Sequence, residues 1–253
     1  MSGLFKNKVV IVTGAGGSIG RAAAIGFAAE GGSVVVSDIN GDAARETVER
    51  IRSAGGEALA IVGDVSSEDD VKAMVQKTVD YYGGLDCAFN NAGVTHPDDA
   101  LWNPAVFEKM LSVNLVSQFL CMKYEIVQML KRGKGSIVNM SSVQGLIAQV
   151  EPVVLGYTTS KHAVIGLTKA AALQYAKSNI RVNALCPGVT RTPLVDSVMA
   201  MSEEIRARLS SYAPMRGIAE PEEIAEAAIW LCSDKSSFVT GHSLVADGGY
   251  TAQ

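Results

Sequence analysis

Short apolar runs alternate with longer amphipathic stretches along most of this chain. The apolar runs lie at 9–12, 33–37, 58–62, 85–90, 136–140 and 180–185, and all but 85–90 contain Val or Ile. Near-continuous apolar runs of this length read as strands covered on both faces, since a strand with one wet face would alternate. The stretches 18–30, 42–54, 68–82, 104–131 and 157–177 carry helical character. A last strand is expected at 242–246. The order predicts an α/β fold: one doubly wound parallel sheet, helices on both faces, right-handed crossovers. No repeat or linker divides residues 1–253, so a single domain is expected. The segment around 190–217 departs from the pattern. After residues 194–201 it opens a polar helix at Ser202 and ends in Pro214-Met215-Arg216-Gly217. Such excursions beyond the carboxyl ends of strands are where open α/β sheets usually bind ligands.

Composition narrows the picture. With 48% hydrophobic and 19% charged residues, the 253-residue chain is that of a packed globular protein. A formal charge of −4 and the lack of any Lys/Arg cluster argue against a nucleic-acid partner. Cys87, Cys121, Cys186 and Cys232 form no Cys-x-x-Cys pair, and His96, His162 and His242 are scattered, so no metal site is expected. Met1-Ser2-Gly3-Leu4 starts no signal-peptide pattern, and no run of 18 apolar residues stands out. Reduced thiols in a cytoplasmic protein, without a membrane span, are the expectation.

Two motifs carry chemistry. The first strand runs into Thr13-Gly14-Ala15-Gly16-Gly17-Ser18-Ile19-Gly20 and then a helix. Glycines there permit a tight turn and close approach of a pyrophosphate, and the helix N-terminus offers unpaired N–H groups to the anion. Asp38 ends the second strand, where a carboxylate can accept hydrogen bonds from an adenosine ribose. A 2′-phosphate within about 4 Å of it would meet ~1 kcal/mol of repulsion per charge in water and ~4 kcal/mol at an effective dielectric near 20. NAD is therefore expected over NADP. Arg21, past the loop, reads as a solvated helix residue. In the second motif, Tyr157 and Lys161 stand four apart on a helix and share a face. A neighbouring cation favours phenolate over phenol, which suits a tyrosine for proton transfer near neutral pH.

These motifs, taken with Asp64-Val65, Asn90-Asn91-Ala92-Gly93, Asn114, Ser141-Ser142, Pro187-Gly188 and Thr192 in that order, make the chain resemble the classical short-chain dehydrogenase/reductase family over essentially its whole length. The resemblance implies a single Rossmann-type, NAD-binding domain. It also implies a catalytic tetrad of Asn114, Ser142, Tyr157 and Lys161. Tyr157 would be the general acid/base and Ser142 would hold the substrate oxygen. Lys161 would lower the Tyr157 pKa and bind the nicotinamide ribose, and Asn114 would hold a water linking Lys161 to solvent. Cofactor contacts would come from Gly14, Gly16, Gly17, Ser18, Ile19, Gly20, Asp38, Ile39, Asp64, Val65, Asn91, Ala92 and Gly93. Tyr157, Lys161, Pro187, Gly188, Val189 and Thr192 would complete them, with Val189 and Thr192 reaching the carboxamide.

Two departures from the family pattern stand out. Ser18 replaces a usual glycine, so the loop keeps its course only if that position avoids a left-handed conformation; Ser18 is expected to cap the helix. Ser142 lies fifteen residues before Tyr157, two more than in many members, with the extra length in 145–156. Ser141 is the other possible catalytic serine.

His162, about 140° around the helix from Tyr157, should miss the catalytic face. It is expected to pack or to meet another subunit. Ala163, Gly166 and Ala170 on the same helix suit close helix packing, and the resemblance implies a homotetramer.

The expected reaction is NAD(H)-dependent interconversion of a neutral, cyclic secondary alcohol and its ketone. Ser142, Gln144, Val154, Tyr157 and Leu194 are expected to line the substrate site, with Val94, Thr95, His96, Val150 and Met199 nearby. The alternatives are a 3-oxoacyl-carrier-protein reductase, which Asp38 and the pI of about 5.5 disfavour, and a catalytically silent NAD-binding regulatory protein.

Overall fold

In the computed structural model of the chain, residues 3–149 and 154–253 are described. The apolar runs become strands because their side chains divide between two hydrophobic layers. Along β1 (Val9–Thr13), Val10 and Val12 enter one core and Val9 and Ile11 the other, the period-two alternation of an extended chain. All seven strands pair in parallel: β2 (Ser33–Asp38), β3 (Glu57–Val62), β4 (Cys87–Asn90), β5 (Gly135–Met140), β6 (Ile180–Pro187) and β7 (Ser243–Ala246) join β1 in the order β3-β2-β1-β4-β5-β6-β7. The expected doubly wound sheet is present. Its order reverses between β1 and β4, which opens a crevice beyond their carboxyl ends.

Helices α1 (Ser18–Ala29) and α2 (Gly41–Ser53) pack on one face with α9 (Pro221–Cys232), through Phe27, Ile51 and Ile229. Helix α3 (Glu68–Tyr82) covers the other face with α5 (Ser117–Arg132) and α6 (Leu155–Tyr175), through Met74, Ile126 and Ala172. The short helices α7 (Pro193–Met199) and α8 (Glu203–Ser211) form the expected excursion.

Three features depart from the expectation. The helix at 104–131 is not continuous, because α4 (Pro104–Leu111) meets α5 through a π turn at Ser112–Val116 in which the Ser117 N–H reaches the Ser112 carbonyl. Helix α9 was absent from the expected pattern, although Glu220 and Glu223 make a reciprocal capping box around Pro221 at its start. The stretch Pro104–Arg132 is also long and apolar enough, by length and composition, to cross a membrane; here α5 buries Leu120, Met122, Ile126 and Met129 against the sheet.

One carboxyl lies wholly inside this layer. Glu125 on α5 is 0% exposed, and Asn90 Nδ2 donates to its Oε2 at 3.0 Å. Glu125 Oε1 and Asn90 Oδ1 are both buried acceptors with no partner. Burial pushes the Glu125 carboxyl up to about 8 from the ordinary 4.5, so it is a neutral acid at pH 7, with a proton to donate. The folded protein thus keeps a proton that the unfolded chain releases above about pH 4.5. Stability should fall as pH rises from 4.5 to about 8, by up to roughly 1.4 kcal/mol per pH unit, and level off above. Denaturant midpoints of the wild type and Glu125→Gln across that range should show this slope in the wild type alone. Parallel curves would show that Glu125 is not the group responsible.

Candidate active site

The glycine turn is closed by side chains from three directions. Gly14 adopts φ +64, and a Cβ there would lie 3.0 Å from the Ala92 Cα. At Gly20 a Cβ would come within 2.1 Å of the Gly14 carbonyl oxygen, so the turn and the first helical turn touch backbone to backbone. Asp38 Oδ2 accepts from the Gly16 N–H at 2.9 Å, and Oδ1 from the Asn40 N–H at 2.9 Å. Thr13 Oγ1 accepts from the Asn91 and Ala92 N–H groups at 3.0 and 3.1 Å, while Asn91 Nδ2 donates to the carbonyls of Thr13 and Gly14. The cradle therefore joins the carboxyl ends of β1, β2 and β4.

Two expectations fail here. Ser18 does not cap α1: Gly17 is the N-cap, with no side-chain bond, and Ser18 takes φ +28. The loop keeps its course although the serine has a positive φ. Arg21 is not a solvated residue either. It donates to the Gly16 carbonyl at 2.6 Å and to Thr47 Oγ1, and pairs with Glu46, while Thr47 donates to the Ala15 carbonyl. Arg21 and Thr47 brace the outside of the loop.

The residues expected to handle the proton lie beyond the ends of β4, β5 and β6. Lys161 is 2% exposed; its Nζ donates to the carbonyl of Met140, the last residue of β5, at 2.9 Å and lies 5.4 Å from the Tyr157 ring centroid. Ser142 is near enough to the Tyr157 phenol to favour its ionised form, and its Oγ accepts from the Gln144 N–H. Ser141 instead donates to the Lys161 carbonyl at 2.8 Å, which ties β5 to α6 and leaves Ser142 as the serine at Tyr157. Asn114 sits in the π turn. Its Oδ1 accepts from the Val94 N–H at 2.7 Å and its Nδ2 donates to the Val94 carbonyl at 2.9 Å. A Cβ at Gly93 would lie 3.1 Å from Asn114 Oδ1 and 3.5 Å from Lys161 Nζ, so Gly93 is the neighbour of both. All four residues of the expected tetrad are thus brought together.

Burial acts against charge at both ends of this group. It raises the Tyr157 phenol above its ordinary value, Ser142 pulling the other way, and it pushes Lys161 down to about 8. Burial is thus the largest influence on the Tyr157 phenol here, while the Lys161 ammonium donates to the Met140 carbonyl and is itself desolvated.

Other expected contacts fall in several places. Pro187 ends β6, the Gly188 N–H donates to the Ala246 carbonyl, the Val189 carbonyl accepts from the Ala219 N–H, and Thr192 caps α7. Ile39 lies exposed past Asp38 and Ile19 packs on the core. The Asp64 carboxylate turns back to the N–H and hydroxyl of Ser66, and Val65 packs against the core of the α3 side. Gln144 accepts from the Thr158 hydroxyl, Val154 caps α6, and Leu194 is exposed on α7. His96 closes a local turn and His162 bonds its own helix, on the exposed side. Val150 lies outside the described residues.

Asp99 was not foreseen. It is buried, and its two oxygens accept from the N–H groups of Gly156 and Tyr157 at 2.8 and 2.9 Å, fixing the start of α6. No pattern near Asp99 signals a helix so distant in sequence.

The family described as enoyl-(acyl carrier protein) reductase matches residues 14–251. A 2,5-dichloro-2,5-cyclohexadiene-1,4-diol dehydrogenase of Sphingobium indicum is 46% identical over 248 residues, covering 97% of each chain. A cyclohexanol dehydrogenase of an Acinetobacter species is 41% identical over 255 residues, covering 100% of this chain and 98% of the relative. A crystal structure of a short-chain type dehydrogenase/reductase from Mycobacterium marinum superposes with a TM-score of 0.93 at 33% identity, covering 98% of this chain and 97% of that one. The chain belongs to the classical short-chain dehydrogenase/reductase family. It is an alcohol dehydrogenase/reductase enzyme, and its fold is one that binds a nicotinamide dinucleotide.

The residues fit that cofactor: the turn is too tight for side chains at Gly14 and Gly20, while a Cβ at Gly17 would meet nothing within 4 Å. Gly17 has φ −134, which valine accepts. Gly17→Val should leave the unfolding midpoint within about 2 °C of wild type and weaken nicotinamide dinucleotide binding at least about tenfold by fluorescence titration. Undiminished binding would show that the dinucleotide does not approach the loop at this residue.

Proposed function

We propose that the protein interconverts a neutral, cyclic secondary alcohol and its ketone, with NAD(H) as cofactor and Tyr157 as the general acid/base. The observation that carries this reading is the grouping of half-buried Tyr157 with Ser142, which acts on its phenol, and with the buried Lys161 ammonium 5.4 Å from its ring centroid. A substrate oxygen placed between the two hydroxyls meets one group that exchanges its proton and one that holds it in place. Lys161 binds the nicotinamide ribose as well as flanking Tyr157, and Asn114 keeps the Val94 loop against it. When bound, the nicotinamide supplies the hydride acceptor or donor. In oxidation the alcohol hydroxyl gives its proton to Tyr157 as the C–H bond breaks; reduction returns that proton.

Asp38 supports NAD over NADP. Its carboxylate already closes on the Gly16 N–H, and a 2′-phosphate brought there would meet its negative charge. The two relatives are named for ring alcohols, and Gln144, Val154 and Leu194 bring no charge to the pocket, which suits a neutral ring. Ala163, Gly166 and Ala170, with exposed Leu173, support a homotetramer built partly on α6, and we place the enzyme in the cytoplasm.

A panel of cyclic and linear secondary alcohols with NAD or NADP, followed by absorbance of the reduced nicotinamide, tests the reading. Cyclic alcohols with NAD should be preferred. Tyr157→Phe should lose roughly 10²- to 10⁴-fold in turnover while keeping cofactor affinity. Retained turnover would remove Tyr157 from its role. Because burial raises the Tyr157 phenol, it is protonated at neutral pH. Alcohol oxidation, which needs the phenolate, should therefore rise with pH, and ketone reduction should fall. Asp38→Ser should narrow the NAD preference; an unchanged ratio of the two cofactors would show that selection lies elsewhere.

A further inference from the structure

Met140 offers its carbonyl to two side chains at once. Lys161 Nζ donates to it at 2.9 Å and Gln118 Nε2 at 3.0 Å. The same Gln118 nitrogen donates to the Asn114 carbonyl at 3.2 Å. One amide thus joins the end of β5 to the π turn that carries Asn114. Gln118 is 1% exposed, and its Oε1 is buried without a partner. Turning the amide over would set that oxygen against two carbonyl oxygens, so its donors fix its orientation. A buried glutamine that leaves its own acceptor unsatisfied costs stability, which calls for a compensating role.

We propose that Gln118 is a positioning residue for Lys161: by occupying part of the Met140 carbonyl, it sets where the ammonium rests and how firmly that ammonium keeps its proton. The proposal rests on Lys161 being part of the catalytic group. A carbonyl oxygen has two lone pairs, and with one engaged by the amide the ammonium is confined to the other. The amide hydrogens carry partial positive charge into the same oxygen, which disfavours a second cation there. The titratable groups facing Lys161 are Tyr157 on its own helix and Cys186 on β6. Neither is hydrogen-bonded to Gln118, so a change at 118 acts on Lys161 through the Met140 carbonyl and on Asn114 through its own.

Gln118→Met keeps the length of the side chain and removes both donors. We expect the high-pH fall of kcat/KM for ketone reduction, set first by loss of the Lys161 charge, to move up by roughly half a pH unit or more. At the optimum, kcat should drop roughly tenfold while KM for the ketone changes little, the mark of lost alignment and not of lost binding. Gln118→Glu serves if the methionine variant does not fold. Ionised, it attracts the ammonium; protonated, its single O–H reaches one carbonyl only, and the limb moves upward either way. Superimposable pH profiles and unchanged kcat in a folded variant would overturn the proposal. A wild type that binds the nicotinamide dinucleotide yet turns over no alcohol would instead overturn the functional reading beneath it.

Discussion

The site depends on one ammonium held inside the protein by one strand carbonyl. Lys161 to Met140 is a bond between a helix and the end of the central sheet, and it fixes the rotation of α6. Tyr157, one turn earlier on α6, is then aimed by the same bond. A second constraint acts from below, where Asp99 takes the first N–H groups of the helix, and a third from the side, where Ser141 holds the Lys161 carbonyl. With both ends of the helical turn pinned, the phenol has little freedom to leave Ser142. Desolvation is the cost of this arrangement: it weakens the charged form of Lys161 and favours the neutral form of Tyr157. In its proposed role, a phenol kept neutral and aligned needs little reorganisation when a ketone oxygen arrives to take its proton.

The same economy appears in the cofactor cradle. Gly14, Gly16 and Gly20 remove side chains where backbone meets backbone or the Asp38 carboxylate, while Thr13, Asp38, Thr47 and Arg21 hold the loop from outside. The carboxyl ends of β1, β2, β4, β5 and β6 all contribute, so the parallel sheet acts as the template that registers cradle and tetrad. Strands buried on both faces give that template its rigidity.

Much of this was legible in the sequence because it is local. Buried strands declare themselves by short, largely apolar runs, and Tyr157 and Lys161 by helical spacing. What escaped was set by distant partners. The π turn at Ser112–Val116 follows from where Asn114 must meet Val94, which no periodicity encodes. Gln118 and Asp99 look like ordinary polar residues until the sheet brings Met140 and Gly156 to them. Ser18 misled because serine favours caps, whereas Gly17 takes the cap position and Ser18 a positive φ. Helix α9 was the avoidable omission, since Glu220-Pro221-Glu222-Glu223 before an apolar run is a start signal in its own right.

The central claim is that this site moves a hydride between a ring carbon and a nicotinamide while Tyr157 handles the proton. Tracing isotope tests it most directly. A cyclic secondary alcohol deuterated at the carbinol carbon, incubated with the enzyme and NAD, should place its deuterium on the reduced nicotinamide and none in water. Deuterium in the solvent, or ketone formed without labelled NADH, would contradict the account.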